Sequence, residues 1–330
     1  FKAPFQAPKA DRGFVGRQEE LDDFCAALMR AQENRIFCIA GMGGLGKTAF
    51  ATRVAHTLRD QFPDGVLWAH VATSPPMGIL DSWARAYGEN YGGLPDLDSR
   101  EAVMRHLLAD KHVLVILDDV QTARQVRPLL PGGPHCVVVI TTRNRRLAKA
   151  IDAVEHKFSP LLPPESYQLM VSILGDKRVA AEKNAADEIC QRLAHLPLAV
   201  KIAAKRLESD PDIGLAELAE QLRDARRRLN ELVYEDLEVR ASFALSWDAL
   251  DENQKKSFAL LGVFEGRAFT LPAFAAMART DKWTARNDLR AMVDWSLLAG
   301  GERTRYQQHP LLADFARERL GDDPSAHTRL

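Results

Sequence analysis

Residues 36–48 read Ile36-Phe37-Cys38-Ile39-Ala40-Gly41-Met42-Gly43-Gly44-Leu45-Gly46-Lys47-Thr48. An apolar run enters a Gly-x-x-x-x-Gly-Lys-Thr loop, the pattern expected where a buried strand turns into a helix. Glycines let successive backbone N–H groups converge on phosphate oxygens without interference from Cβ. Lys47 can place a point charge between the outer two phosphates, and Thr48 offers a hydroxyl to Mg²⁺. The helix expected from about Ala49 to Arg59 aims its positive dipole end at the same anion. A glycine-rich turn without a ligand is the competing reading, and the strand before and helix after weigh against it. Gly43, Gly44, Leu45, Gly46, Lys47, Thr48 and Ala49 are therefore candidate phosphate-binding residues. The stretch points to binding of a nucleoside triphosphate or its product.

The chain of 330 residues is long for one domain and comfortable for two or three. Its 46% hydrophobic content permits a full core. Lysine plus arginine, 44, nearly cancels aspartate plus glutamate, 45, so the overall field favours neither nucleic acid nor an anionic membrane. Cys25, Cys38, Cys136 and Cys190 lie far apart without a CxxC pair, which reads as free buried thiols in a reducing cytosol. No apolar run approaches the roughly 18 residues of a membrane span, and the first residues lack a signal pattern. A start on Phe1 rather than Met suggests a piece of something longer.

Working outward, residues 1–12, with Pro4 and Pro8, read as an extended linker. From about 13 to 158, short apolar runs at 36–40, 66–71, 113–117 and 137–140 alternate with helical stretches near 19–30, 47–59, 79–87 and 100–109. That alternation predicts a parallel α/β sheet covered on both faces. Beyond Leu161-Leu162-Pro163-Pro164 no strand run appears before about 229, and helical stripes at 166–174, 180–194, 198–207 and 215–228 predict a small helical domain over 159–230. Helices near 239–250, 252–262, 271–278 and 282–294, a hairpin at 297–301 and 305–307, and a last helix at 311–320 predict a winged helix over 231–322, with 323–330 as a tail.

A phosphate loop needs a carboxylate for its metal, at the C-terminal end of a neighbouring strand. Val113-Leu114-Val115-Ile116-Leu117-Asp118-Asp119 supplies it. Asp118 is expected to hold Mg²⁺ together with Thr48, and Asp119 to orient or activate the attacking water. The next apolar run ends in Thr141-Thr142-Arg143, where an arginine points into the ligand crevice and its planar fork suits a terminal phosphate. Arg145 and Arg146 read as solvated or paired.

These residues now resemble a family. Phe14-Val15-Gly16-Arg17, the glycine loop, the Leu-Asp-Asp strand, Thr-Thr-Arg, His195-Leu196-Pro197-Leu198-Ala199 and Gln308-His309-Pro310 occur in the order seen in NB-ARC modules. These modules belong to the STAND class of switch ATPases, which includes plant disease-resistance proteins, the apoptotic-protease-activating factor and bacterial regulators. The resemblance runs from about residue 13 to 320. It implies an α/β P-loop domain followed by helical and winged-helix domains, with ATP or ADP and Mg²⁺ as cofactors. It implies that Phe14, Val15 and Arg17 lie against adenine, Arg143 senses the γ-phosphate, Pro197 packs on base or sugar, and His309 reaches the β-phosphate of ADP. His195 stands where the family has glycine, so the turn before Pro197 is expected to differ. Gln308 and Pro310 stand for the family's Met and Asp beside His309.

The function so implied is a cytoplasmic molecular switch, closed with ADP, opening and self-associating with ATP, with slow ATPase activity as reset. Effector and sensor partners would lie outside this segment, and neither membrane contact nor direct nucleic-acid binding is expected. Two other readings are a dedicated ATP-consuming enzyme and a DNA-binding regulator acting through the winged helix, whose would-be recognition helix, 282–290, carries three basic residues and one acid.

Overall fold

Valine, isoleucine and leucine fill strand positions without alternation, because both faces of the first unit's sheet are covered by helices. The computed structural model describes residues 3–10, 13–31, 35–225, 227–300 and 305–321. The expected tail and Gly301 of the expected hairpin lie outside the described residues. The chain divides into two compact units, one of Phe1–Gly41 with Lys47–Phe158 and one of Met42–Gly46 with Ser159–Leu330.

The first unit runs α1 (Gln18–Arg30), β1 (Ile36–Ala40), α2 (Lys47–Thr57), β2 (Gly65–His70), α3 (Pro76–Ala86), α4 (Leu97–Leu108), β3 (Val113–Val120), α5 (Ala123–Val126), β4 (Val137–Thr142), α6 (Arg146–Ala150) and β5 (Val154–Lys157). The strands form one parallel sheet in the order β2-β3-β4-β1-β5. Val113 through Leu117 and the facing Val139 and Ile140 are fully buried. Because β4 separates β1 from β3, the loop after β1, the acidic pair in β3 and Arg143 after β4 all emerge at one edge of the sheet. That edge is where open α/β sheets hold ligands.

Three details differ from the expected outline. Strand β3 continues to Val120, and its register against β4 shifts between Leu117 and Val120. Edge strand β5 was not anticipated, since Glu155, His156 and Lys157 give no apolar run. The segment read as linker is extended but bonded: Gln6 N–H donates to Val66 C=O at 2.9 Å, and Val66 N–H donates to Pro4 C=O at 2.8 Å. Phe5 thereby bridges to the outer side of β2.

The second unit begins with α7 (Pro163–Leu174), α8 (Asp176–Ala181), α9 (Lys183–Arg192), α10 (Pro197–Ser209) and α11 (Leu215–Gln221). The single helix expected over 180–194 is broken at Glu182, whose backbone leaves helical space at φ −125° and ψ 45°. Its carboxylate instead accepts the N–H groups of Leu215 and Ala216, at 3.2 and 2.9 Å, and so caps α11. The helix expected over 215–228 stops at Gln221, and Arg228 Nε donates back to Leu222 C=O at 3.0 Å.

Then follow β6 (Val233–Tyr234), β7 (Leu237–Glu238), α12 (Val239–Trp247), α13 (Glu252–Leu260), β8 (Phe269–Thr270), α14 (Leu271–Met277), α15 (Lys282–Asp294), β9 (Ala299–Gly300), β10 (Arg305–Gln307) and α16 (Pro310–Gly321). Strand β10 pairs antiparallel with both β8 and β9. Leu297 and Leu298, expected in the hairpin, are core residues ahead of it. Phe243, Phe258 and Phe315 pack with Trp247 edge-on between them. Among the described residues no helix is long and apolar enough to cross a membrane.

Beneath α16 lies a buried ion pair. Arg228 Nη1 donates to Asp314 Oδ2 at 3.0 Å, with both side chains at most 10% exposed. Burial pushes the Asp314 carboxyl up to about 6, while Arg228 and Arg317 pull it back down. At neutral pH the pair is ionised. Asp314→Ala should therefore cost about 3–5 kcal/mol, because it strands a buried guanidinium. Arg228→Met with Asp314→Leu should recover most of that loss in a denaturant titration, and a single variant as stable as wild type would contradict the pairing.

Candidate functional site

The loop between β1 and α2 needs glycine at two positions. Gly44 and Gly46 have φ of +82° and +86°, the left-handed region that side chains avoid. A Cβ on Gly46 would meet nothing within 4 Å, whereas one on Gly44 would lie 3.3 Å from Leu198 Cβ. Within the second unit, which includes Met42–Gly46, Leu198 N–H donates to Gly44 C=O at 3.1 Å. Lys47 opens α2, and its ammonium donates to Gly41 C=O at 2.8 Å. Burial lowers Lys47 to about 7, and the Arg143 charge lowers it further against the pull of Asp119 and Asp118. A polyanion would offset that depression by favouring the charged form. The donor set therefore fits a polyphosphate.

Asp118, in β3, is 1% exposed. Its Oδ1 accepts from Thr48 Oγ1 at 2.8 Å and from Thr141 Oγ1 at 2.6 Å, and His70 Nδ1 lies 3.0 Å from Oδ2. Thr48 and Asp118 thus share one hydrogen bond and can offer two protein oxygens to Mg²⁺, which ordinarily takes few protein ligands and keeps water and phosphate for the rest. Among the described residues no group of three or more His, Cys, Asp or Glu forms a metal-holding cluster. The donor set thus suits a cation shared with a phosphate rather than an all-protein cage.

Asp119 occupies left-handed space at φ 54°, inside the β3 irregularity. Its N–H donates to Thr141 Oγ1 at 2.9 Å, and its carboxylate lies 3.5 Å from Arg143 Nε. Bulges of this kind re-aim side chains beside active sites. Without it, adjacent carboxylates would point to opposite faces of the sheet. Arg143 is thus placed at the same edge as Lys47, Thr48, Asp118 and Asp119.

Ahead of α1, Phe14 lies against Phe50 at 6.4 Å between ring centroids. Arg17 is buried at φ 56°, with its guanidinium 4.0 Å over the Phe158 ring and Nη1 donating to Glu20 at 2.7 Å. Its side chain is thereby engaged within the first unit, along with its backbone carbonyl, which accepts from Leu21 N–H at 2.8 Å. Val15 and Ala49 are half-buried on the same unit.

In the second unit Pro197 is the first residue of α10. The preceding Ala194 and His195 both have positive φ, 47° and 56°. The backbone at His195, where the resemblance has glycine, thus lies in the region that glycine adopts freely. His195 Nδ1 lies 2.7 Å from the buried Ser166 hydroxyl, a local contact that helps hold it there. His309, just before α16, accepts from Leu311 N–H at Nδ1, 3.3 Å, and so presents Nε2–H to Ala194 C=O at 3.2 Å. Burial lowers its pKa to about 4, with the His195 charge adding to the depression.

Sequence reasoning passed over Thr141 and His70. The Thr-Thr-Arg run was noticed for its arginine alone. His70 ends a strand paired with β3 at Asp118, and that place at the sheet's C-terminal edge is the signal that could have found it.

A glycine loop with buried lysine, a threonine bonded to a strand aspartate, and a parallel sheet in this order define a P-loop NTPase fold. Residues 17–180 match the NB-ARC domain. The chain belongs to the NB-ARC family. It is 37% identical to the regulatory protein AfsR of Streptomyces griseus, covering 95% of this chain and 33% of AfsR. It is 29% identical to a putative HTH-type transcriptional regulator of Mycobacterium tuberculosis, covering 89% of this chain and 35% of that protein. Among solved structures, the Walker-type ATPase PABY2304 of Pyrococcus abyssi aligns with a TM-score of 0.60 and 12% identity, over 94% of this chain and 99% of that one. At such identity the likeness concerns fold alone. The chain spans about a third of the length of the curated relatives it matches.

The His309 contacts carry a pH signature. Its pKa falls from 6.5 to about 4 on folding, so the native state resists a proton that the unfolded chain accepts. Its contribution is complete above pH 6.5 and fades as pH falls toward about 4. Thermal unfolding of wild type should lose stability across that window more steeply than His309→Gln, which keeps a donor for Ala194 but does not titrate. Parallel pH profiles would contradict the assignment.

Proposed function

We propose that this chain is an adenine-nucleotide switch, with residues 13–158 as the P-loop domain, 159–230 as a helical domain and 231–322 as a winged-helix domain. The observation that carries the reading is the bond from Leu198 N–H to Gly44 C=O at 3.1 Å, which ties the glycine loop to the start of α10 within the second unit. A shift of the loop on taking up phosphate is thereby felt at the start of α10.

Bound nucleotide with Mg²⁺ supplies a polyphosphate charge and a divalent cation to this cluster. The backbone of residues 43–49 and Lys47 grip the phosphates, while Thr48 and Asp118 hold the metal. Asp119 orients water for slow hydrolysis, and Arg143 detects the γ-phosphate. Phe14, Val15 and Arg17 carry the base, and Pro197 packs on base or sugar. His309 would reach the β-phosphate of ADP through its Nε2–H.

ADP then favours a closed monomer, and ATP an opened form that self-associates. One or two charge-assisted contacts that differ between the states are worth a few kcal/mol, enough to invert a modest preference. Effector and sensor partners lie elsewhere in a longer regulatory protein.

Lys47→Ala should weaken ADP binding by about two orders of magnitude, the worth of one charged contact to phosphate. Isothermal titration calorimetry checks this, and unchanged ADP affinity would overturn the site assignment. Sedimentation velocity should find a monomer with ADP and larger species with ATP and Mg²⁺. Identical profiles would remove the switch while leaving the binding site standing.

A further inference from the structure

Helix α15 presents a continuous exposed face made of Lys282, Trp283, Arg286, Asn287 and Arg290, while Ala285, Leu289 and Met292 are buried on the opposite side. Trp283 is 74% exposed, the highest value among the large exposed hydrophobics of the described residues. Among those residues, Lys282, Arg286 and Arg290 have no carboxylate partner. Of the acids in this helix, half-buried Asp288 is turned away and accepts from Ser257 Oγ at 2.5 Å, while Asp294, partly buried, closes the last turn four residues after Arg290. Asp281 caps the helix, accepting the N–H groups of Trp283 and Thr284 at 2.8 and 3.0 Å. In a chain of net charge −1, this gathering of unpaired cations is local and one-sided.

The surrounding elements match a groove reader. Helix α14 leads into α15 through residues 278–281, a short turn in which Arg279 takes the left-handed conformation at φ 51°. Turns of this length, usually with a glycine at such a position, join the two helices of a helix-turn-helix. Strands β9 and β10 follow α15, with Gly300 packed close to Val293 of that helix and exposed Arg305 beginning β10. A hairpin at that place would add a cation beside the helix.

We propose that the exposed face of α15 binds duplex DNA through the major groove. Lys282, Arg286 and Arg290 neutralise phosphates, and Asn287 has the paired donor and acceptor that read an adenine edge. Trp283 offers an apolar surface to a thymine methyl or a sugar. The deep, narrow major groove of A-form RNA would not admit the helix, so the geometry selects DNA. The proposal stands apart from the nucleotide reading, because none of these residues belongs to the phosphate site.

The test is fluorescence anisotropy of the 330-residue chain with labelled duplexes of about 20 base pairs, DNA and RNA, over a salt series. Wild type is expected to bind DNA at low salt, with affinity falling as salt rises. Arg286→Ala with Arg290→Ala should weaken binding at least about tenfold and reduce the log–log salt slope by about two. Trp283→Ala should weaken binding without changing that slope. An unaltered melting temperature in the variants certifies their fold. Absent DNA binding by wild type, equal binding of the RNA duplex, or full binding by the double variant would each overturn the proposal. So would a double variant that changes only self-association in sedimentation, which would assign the face to a second copy of the chain.

Discussion

A carboxylate buried at the edge of an apolar sheet must be matched or protonated, and Asp118 is the point on which this fold turns. It is matched three ways, by the hydroxyls of Thr48 and Thr141 and by the His70 ring. Each partner comes from a different element, so satisfying one charge fixes α2, β4 and β2 around β3. The same Thr141 hydroxyl that donates to Asp118 accepts the Asp119 N–H. The irregularity that turns Asp119 outward is thus held by the group that stabilises its neighbour. With Lys47 and Arg143 gathered close by, the cluster is arranged for a ligand that brings negative charge and a cation together.

The second unit repeats the theme of strain held by specific contacts. Two consecutive non-glycine residues, Ala194 and His195, stand in left-handed space just before α10, each at a cost of order 1 kcal/mol or more. Ser166 holds one through its hydroxyl, and His309 holds the other through Ala194 C=O. His195 therefore holds a left-handed conformation of the kind glycine adopts freely, and its ring adds a contact to α7 that glycine could not make.

Much of this was legible in the chain. Four of the first unit's five strands announced themselves as β-branched runs, and the glycine loop, the acidic pair and Arg143 stood at their ends. Lys282–Asp294 matches its expected span because its stripe is regular and Asp281 caps it. What escaped detection depended on partners distant in sequence. The β3 irregularity arises from bonding to Thr141, which no local pattern reveals. Strand β5 is polar because it lies at an edge. The break at Glu182 follows from its carboxylate being used at α11. Strand β8 is only Phe269–Thr270, too short for any periodic signal, and exists through β10.

The central claim is that one phosphate tail is held by the loop, Lys47 and the Thr48–Asp118 pair. Chromatography of the nucleotide released when the purified chain is denatured tests it most directly. The account predicts close to one adenine nucleotide per chain, chiefly ADP. Protein that is empty as isolated, and that takes up neither ADP nor ATP with Mg²⁺, would contradict it.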